Sequence, residues 1–239
     1  MAKDLLLEIG TEEVPAHFMP GILAQLKEKA TAKFQEMRLD FDEVTTLGTP
    51  RRTALLVKNL AETQQGASSE YKGPSTAIAF DKDGNPTKAA IGFARGKKVD
   101  VADLVVKDGY VYAVSSEEGK QTVELLPTLL KELVEGLNFP KNMRWGDLDF
   151  RFVRPLRWLV ALYDEEVIDF TVANVTSGRV SRGHRFLSEG DFTINKASDY
   201  EQACKDAFII VDQEKRRDII KAQIEEIAKA HNGHAEITE

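Results

Sequence analysis

The 239-residue chain has one cysteine, Cys204, and no apolar run near the roughly 18 residues that a membrane span needs. A single thiol excludes an intramolecular disulfide, and nothing else in the sequence calls for an oxidising compartment. The opening MAKDLLLEIG has one lysine and too short an apolar stretch for a secretory signal, so the default address is the cytoplasm. Positive charge is also short: 32 Lys and Arg stand against 39 Asp and Glu, a formal charge of −7. Loose binding of nucleic acid over the whole surface needs net positive charge and is excluded. Any such contact must be a local patch. There is no internal repeat and no low-complexity tract. With 42% hydrophobic and 30% charged residues, the chain can bury an ordinary core in one large domain or two small ones.

Against this acidic background the arginines gather between Lys141 and Arg185. The run KNMRWGDLDFRFVRPLRWLVALYD interleaves them with aromatics, and SGRVSRGHRFL follows. Lys141, Arg144, Arg151, Arg154 and Arg157 face only Asp147 and Asp149 in the first stretch, and Arg179, Arg182 and Arg185 have no acid among them. Guanidinium forks bind phosphate bidentately and stack on flat rings, so this pattern suits a structured RNA surface. The other fate open to these arginines is ion pairing with Asp147, Asp149, Asp164, Glu165, Glu166 and Asp169. Arg51 and Arg52, in TPRR, follow the turn-fixing Pro50; strand alternation predicts opposite faces for them, one meeting phosphate and the other an acid. His184, between Gly183 and Arg185, suits a phosphate or base contact, or a structural hydrogen bond.

Periodicity predicts a buried strand at 5–9. Pro15 opens a helix to about 37, with Phe18, Ile22, Leu26, Ala30 and Phe34 at steps of four. Strands follow at 44–47 and 53–57. The polar segment ETQQGASSEYKGPS, residues 62–75, reads as a linker or long loop. Helices are expected at 87–95 and 123–137, and a hairpin at 104–106 and 110–114 around Asp108-Gly109. Further strands are expected at 158–163, 167–175, 191–194 and 209–211. Asp212 caps a helix over about 213–229 whose Ile220, Ile224 and Ile227 share a face. Asn232-Gly233 stops it, and a new strand begins in HAEITE. The expected fold class is α+β, in two lobes with mixed or antiparallel sheets and flanking helices, not one doubly wound parallel sheet. The expected divisions are a lobe at 1–65, a second at 66–190 carrying the arginine block, and a strand–helix extension at 191–239 packed on the second lobe.

No stretch carries a complete catalytic set. GFARGKK at 92–98 has its glycines too close for a phosphate loop, and Lys98 stands where Ser or Thr would hold magnesium. DKDGNP at 81–86 has Gly84 two places early for a calcium loop and reads as a turn. His231 and His234 have ligand spacing but no third partner nearby. Cys204 lacks a nearby base and reads as a small buried hydrophobe. Glu8, Glu12 and Glu13 flank Gly10; paired carboxylates can do acid–base chemistry, but Glu12 and Glu13 stand where a helix begins and favour its positive end.

Five stretches in order carry a resemblance: LLLEIGTEEVP at 5–15, TPRRTALLV at 49–57, KGPSTAIAFDKDGNPTKAAIGFARG at 72–96, FPKNMRWGDLDFRFVRPLRWLVAL at 139–162 and RGHRFL at 182–187. Together they resemble the N-terminal part of the beta subunit of bacterial heterotetrameric glycyl-tRNA synthetase. The resemblance implies a ligase joining glycine to its tRNA with ATP. It places the adenylate-forming site, with its ATP and magnesium, on the alpha subunit and much of the tRNA recognition on the beta subunit. Family beta chains are longer, with a middle phosphohydrolase-like region and an anticodon-binding region beyond the part matched here. Partners implied are the alpha subunit and glycine tRNA, in a tetramer of two alpha and two beta chains without membrane contact. Alone, this segment is expected to be monomeric and inactive, with no catalytic residue, metal or cofactor of its own. Candidates for tRNA contact are Arg51, Arg52, Arg144, Arg151, Arg154, Arg157, Arg179, Arg182, His184 and Arg185. Trp145 and Phe152 suit base stacking or the core. The alternatives are a scaffold that docks the alpha subunit and an editing-type hydrolase domain.

Overall fold

The first strand, β1 (Lys3–Thr11), is buried on both faces, and the rest of its unit is arranged around that fact. Leu5, Leu7 and Ile9 point to one side, Leu6 and Glu8 to the other, as the two-residue period of an extended chain requires. The computed structural model describes residues 2–237. It divides into two compact units, one made of residues up to 63 together with those from 121 onward, the other of 64–120.

In the larger unit, β1 is followed by a short 3-10 turn at Ala16–Phe18, α1 (Met19–Glu36), β2 (Glu43–Thr49) and β3 (Arg52–Leu60). The smaller unit then supplies β4 (Ala67–Ser75), α2 (Thr76–Ala79), α3 (Lys88–Lys97), β5 (Val105–Lys107) and β6 (Tyr110–Glu117). The chain returns to the larger unit with α4 (Thr122–Glu135), β7 (Leu156–Tyr163), β8 (Glu166–Val167), β9 (Thr171–Val172) and β10 (Val175–Gly178). It continues through β11 (Val180–Arg182), β12 (Asp191–Thr193), α5 (Tyr200–Asp206) and α6 (Gln213–Ala230).

The larger sheet runs β2-β3-β1-β7-β10-β9, with β8 also on β7. All its pairs are antiparallel except β7 with β10. It is therefore mixed, as expected of an α+β fold. The apolar run of β7 explains its place beside β1, because a strand in mid-sheet is covered on both faces. One face packs on α1 and α4, where Ile22, Leu26, Ala30 and Phe34 meet Leu126, Leu129, Leu130 and Leu133. The other face, with Leu6, Ala54, Trp158, Val160 and Leu162, is covered by Ile194, Tyr200, Cys204 and Val211.

Several expectations are corrected. Residues 66–190 are not one lobe: 121–190 returns to the first sheet through β7, and only 64–120 stands as a second unit. The 191–239 extension packs on the first sheet, against Leu6, Leu47 and Ala54 of the N-terminal strands as well as Trp158, Val160 and Leu162 of β7. Residues 209–211 form no strand. Gly48 N–H donates to the Val211 carbonyl at 3.1 Å and to Gln213 Oε1 at 3.2 Å, contacts too few to make a strand of 209–211, and Asp212 then caps α6 by accepting from the amides of Glu214 and Lys215. Much of the polar linker at 62–75 is β4. It has no apolar alternation and is held by its ladder to β6. The β5–β6 hairpin turns at Asp108-Gly109, both with the positive φ such a turn needs (53° and 76°). DKDGNP is a turn in which Asp81 Oδ1 accepts from the amides of Asp83 and Asn85. Residues 234–237 lie outside any strand, and the remainder of HAEITE falls outside the described residues.

Candidate nucleic-acid interface

Gly10 of β1 stands in register between Arg52 of β3 and Trp158 of β7. A Cβ at this position would fall within the indole ring, so glycine is what lets Trp158 lie across the strand. Trp158 Nε1 then donates to Glu8 Oε1. Ser181 donates to the same oxygen at 2.5 Å, Tyr200 donates to Oε2 at 2.5 Å, and Arg52 Nη1 lies 3.7 Å from Oε2. Glu8 is fully buried, and a buried carboxylate is tolerable only when paired and hydrogen-bonded in this way. It is therefore not exposed acid–base machinery. Arg52 is also buried; its Nη2 donates to the Arg182 carbonyl at 2.5 Å. Burial, and then the Glu8 charge, pushes the Cys204 thiol up to about 12, which leaves it inert as a nucleophile.

Three guanidinium groups gather around Trp158. Arg182, Arg52 and Arg51 lie 5.2, 5.5 and 5.8 Å from its ring, within cation–π range. Arg51 and Arg52 thus share one ring instead of facing apart. Arg51 lies in the turn before β3 begins, so strand alternation does not govern it. Arg52 takes the acid, Glu8. Arg51 has no ion-pair partner among the described residues, and its Nε is buried without a hydrogen bond, as is that of Arg52. Burial first, and the like charge of Arg185 next, hold Arg51 below the ordinary guanidinium pKa.

Beside this stack a cleft of about 490 Å³ is lined by Arg51, Arg52, His184, Arg185 and Arg216, with Glu13 as the acid, and by Phe186, Phe208, Ile209 and Ile210. The 183–190 loop is closed by the Gly183 amide donating to the Gly190 carbonyl at 2.8 Å. Within it, His184 Nδ1 accepts from the amides of Phe186 and Leu187, both at 3.2 Å, which leaves the proton of the neutral ring on Nε2. Phe186 stands 83% exposed and Phe208 57% exposed.

The remaining arginines are mostly engaged. Arg157 pairs with Glu12 at 3.1 Å, Arg185 with Glu13 at 3.2 Å, Arg144 with Asp149 at 3.5 Å and Arg182 with Asp191 at 3.9 Å. Arg154 donates to the Glu13 carbonyl at 3.1 Å, and Arg179 to that of Glu165 at 2.9 Å. Arg151 is exposed and has no ion-pair partner among the described residues. The acids at 164–169 are not the partners the sequence suggested; Asp164 pairs with Lys196. Glu12 and Glu13 bind arginines, and α1 has no acid in its first turn. Phe152 is core, and Trp145 packs beside it. Arg144 and Arg151 ride on this aromatic segment at the α1–α4 face, so the arginine block is divided between the two sides of the sheet. Arg216 and Phe208 are cleft residues that no sequence motif singled out. They reach it only because the chain after α5 folds back past Gly48, whose carbonyl accepts from Arg216 at 3.1 Å.

Residues 5–239 match the family described as glycyl-tRNA synthetase beta subunit. The chain belongs to that family. It is 50% identical over 240 residues to a glycine–tRNA ligase beta subunit of Desulfitobacterium hafniense (strain Y51), covering 99% of this chain and 35% of that relative. It is 46% identical to the corresponding protein of Desulforamulus reducens and 47% identical to that of Citrifermentans bemidjiense, covering 99% and 98% of this chain and 34% and 35% of theirs. The chain therefore spans about a third of the length of the curated relatives it matches. Among its described residues no helix is long and apolar enough to cross a membrane, and no group of three or more His, Cys, Asp or Glu is placed to hold a metal ion.

Proposed function

We propose that this chain is a non-catalytic part of the beta subunit of glycine–tRNA ligase and contributes tRNA binding to ATP-dependent attachment of glycine. In this reading the enzyme is a cytoplasmic tetramer of two alpha and two beta chains. ATP and magnesium act on the alpha subunit, and this segment holds no cofactor. The observation that carries the proposal is the convergence of Arg51, Arg52, Arg185 and Arg216 at the cleft, beside Arg182 on the Trp158 ring, in a chain of net charge −7, with Arg51 lacking an ion-pair partner among the described residues. Such a local patch suits phosphate despite an acidic whole. The test is charge reversal at Arg51 and Arg185 in the assembled enzyme. Each lost phosphate contact should lower tRNA affinity about tenfold and flatten the salt slope by about one unit, with adenylate formation by alpha unchanged. Variants that assemble and charge tRNA like the parent enzyme would refute it.

A second reading is docking of the alpha subunit. It is favoured by α6, where Ile220, Ile224 and Ile227 are exposed on one face and no residue of the helix is buried. An apolar interface of that kind would resist salt, and its loss would abolish assembly before it altered tRNA affinity.

A further inference from the structure

We infer that the cleft beside Trp158 is a subsite for a single unpaired nucleotide of RNA, with its phosphate at Arg51 and Arg216 and its base against Phe186 and Phe208. This deepens the tRNA-binding proposal and rests on it.

The volume is the first argument. About 490 Å³ lies in the range of small-ligand clefts and is too small to admit a duplex. Chemistry is the second. Guanidinium groups and apolar rings both line the cleft, the pairing that a nucleotide with its charged phosphate and flat base requires. Arg51 has no ion-pair partner among the described residues and has the like charges of Arg185, Arg52 and Arg182 around it, so an anion at the cleft supplies the counter-charge that the protein withholds. Arg216 spends donors on the carbonyls of Ile210 and Gly48, which fixes its guanidinium at the cleft without neutralising it.

The backbone gives the third argument. Phe208 has a φ of 59° just beyond α5, at a position where glycine or asparagine is the usual occupant. A bulky side chain is strained there, and its ring gains little burial in return. Phe186 is likewise held outward by a loop whose amides are satisfied through His184. Two exposed rings on fixed backbone, at the edge of a basic cleft, form a stacking platform that costs little to organise on binding.

The test uses fluorescence anisotropy of the 239-residue chain with a labelled single-stranded oligoribonucleotide of about 8 nucleotides and a blunt duplex of the same sequence. The single strand should bind more tightly. Phe186→Ala and Phe208→Gly should each weaken it about tenfold while changing duplex binding by about twofold or less. Phe208→Gly should keep or raise the melting temperature, so its loss of binding is not loss of fold. Arg51→Ala should weaken both oligonucleotides and flatten the salt slope by about one unit. If the phenylalanine variants bind the single strand like the parent, or lose both forms equally, the nucleotide subsite is overturned while tRNA binding through arginine stands. If Arg51→Ala also leaves tRNA binding unchanged, the broader proposal falls too. Phe186-dependent binding of purified alpha subunit without binding of the single strand would likewise overturn the subsite, in favour of a protein interface.

Discussion

On the sheet face covered by α1 and α4, Leu5, Leu7 and Ile9 meet Leu26, Phe34 and Leu129 in packing that is almost wholly hydrocarbon. On the face covered by residues 194–211, the same strand buries Glu8 beneath Trp158, Ser181, Tyr200 and Arg52. The first arrangement is tolerant, since apolar side chains of similar volume can exchange places at modest cost. The second is specific. A one-residue slip of β1 would turn Glu8 into the hydrocarbon and leave Arg52 without its acid. The arginine-lined cleft lies beside this second face, so the specificity of the buried cluster and the placement of the basic groups around the cleft have one origin.

The comparison predicts its sharpest break at Glu8. Glu8→Ala should destabilise the fold by about 3–5 kcal/mol, because it strands a buried guanidinium and leaves several donors unmet. Leu26→Ala on the opposite face should cost about 2–5 kcal/mol, through a cavity alone. Denaturant midpoints would measure both. A cost for Glu8→Ala below about 1 kcal/mol, the scale of a surface pair, would show that the carboxylate does not organise its face.

Gly10→Ala should cost about 1–3 kcal/mol by forcing Trp158 off the strand. In a Trp145→Phe background the change should appear in tryptophan emission, since Trp158 then reports alone. Unshifted emission with unchanged stability would mean that the indole does not need the glycine. Phe208→Gly should move stability the other way, by about +1 kcal/mol, because glycine accepts a φ of 59° without penalty. A destabilised Phe208→Gly would show that the ring is packed after all. The smallest effect is expected at the exposed pair of Arg157 and Glu12. Arg157→Ala should change stability by about 0–1 kcal/mol, and a larger thermal shift would mark it as part of the buried network.

Much of the tolerant face was legible in the sequence. Steps of four from Ile22 to Phe34 marked α1, the apolar run at 5–9 marked β1, and Asp212 marked the start of α6. The family likeness was legible as well, because long motifs in fixed order carry more information than any periodicity. β4 was not legible, since its stability lies in a ladder to β6 and its own residues have no apolar pattern. Residues 209–211 misled for the opposite reason, being apolar without a partner strand. Glu8 could be read only as one of three acids near a glycine. Its role depends on partners that no local pattern brings together, and the arginines near it could be recognised as a group but not sorted into buried and open.

Those partners are distant along the chain. Trp158, Ser181 and Tyr200 follow Glu8 by 150, 173 and 192 residues. During synthesis Glu8 emerges long before any of them, and its carboxylate must stay in water until residue 200 has left the ribosome. At about 5–20 residues per second that wait is on the order of ten to forty seconds. The arginine-bearing side of the sheet is thus completed last, and closing so long a loop makes it a slow step of folding.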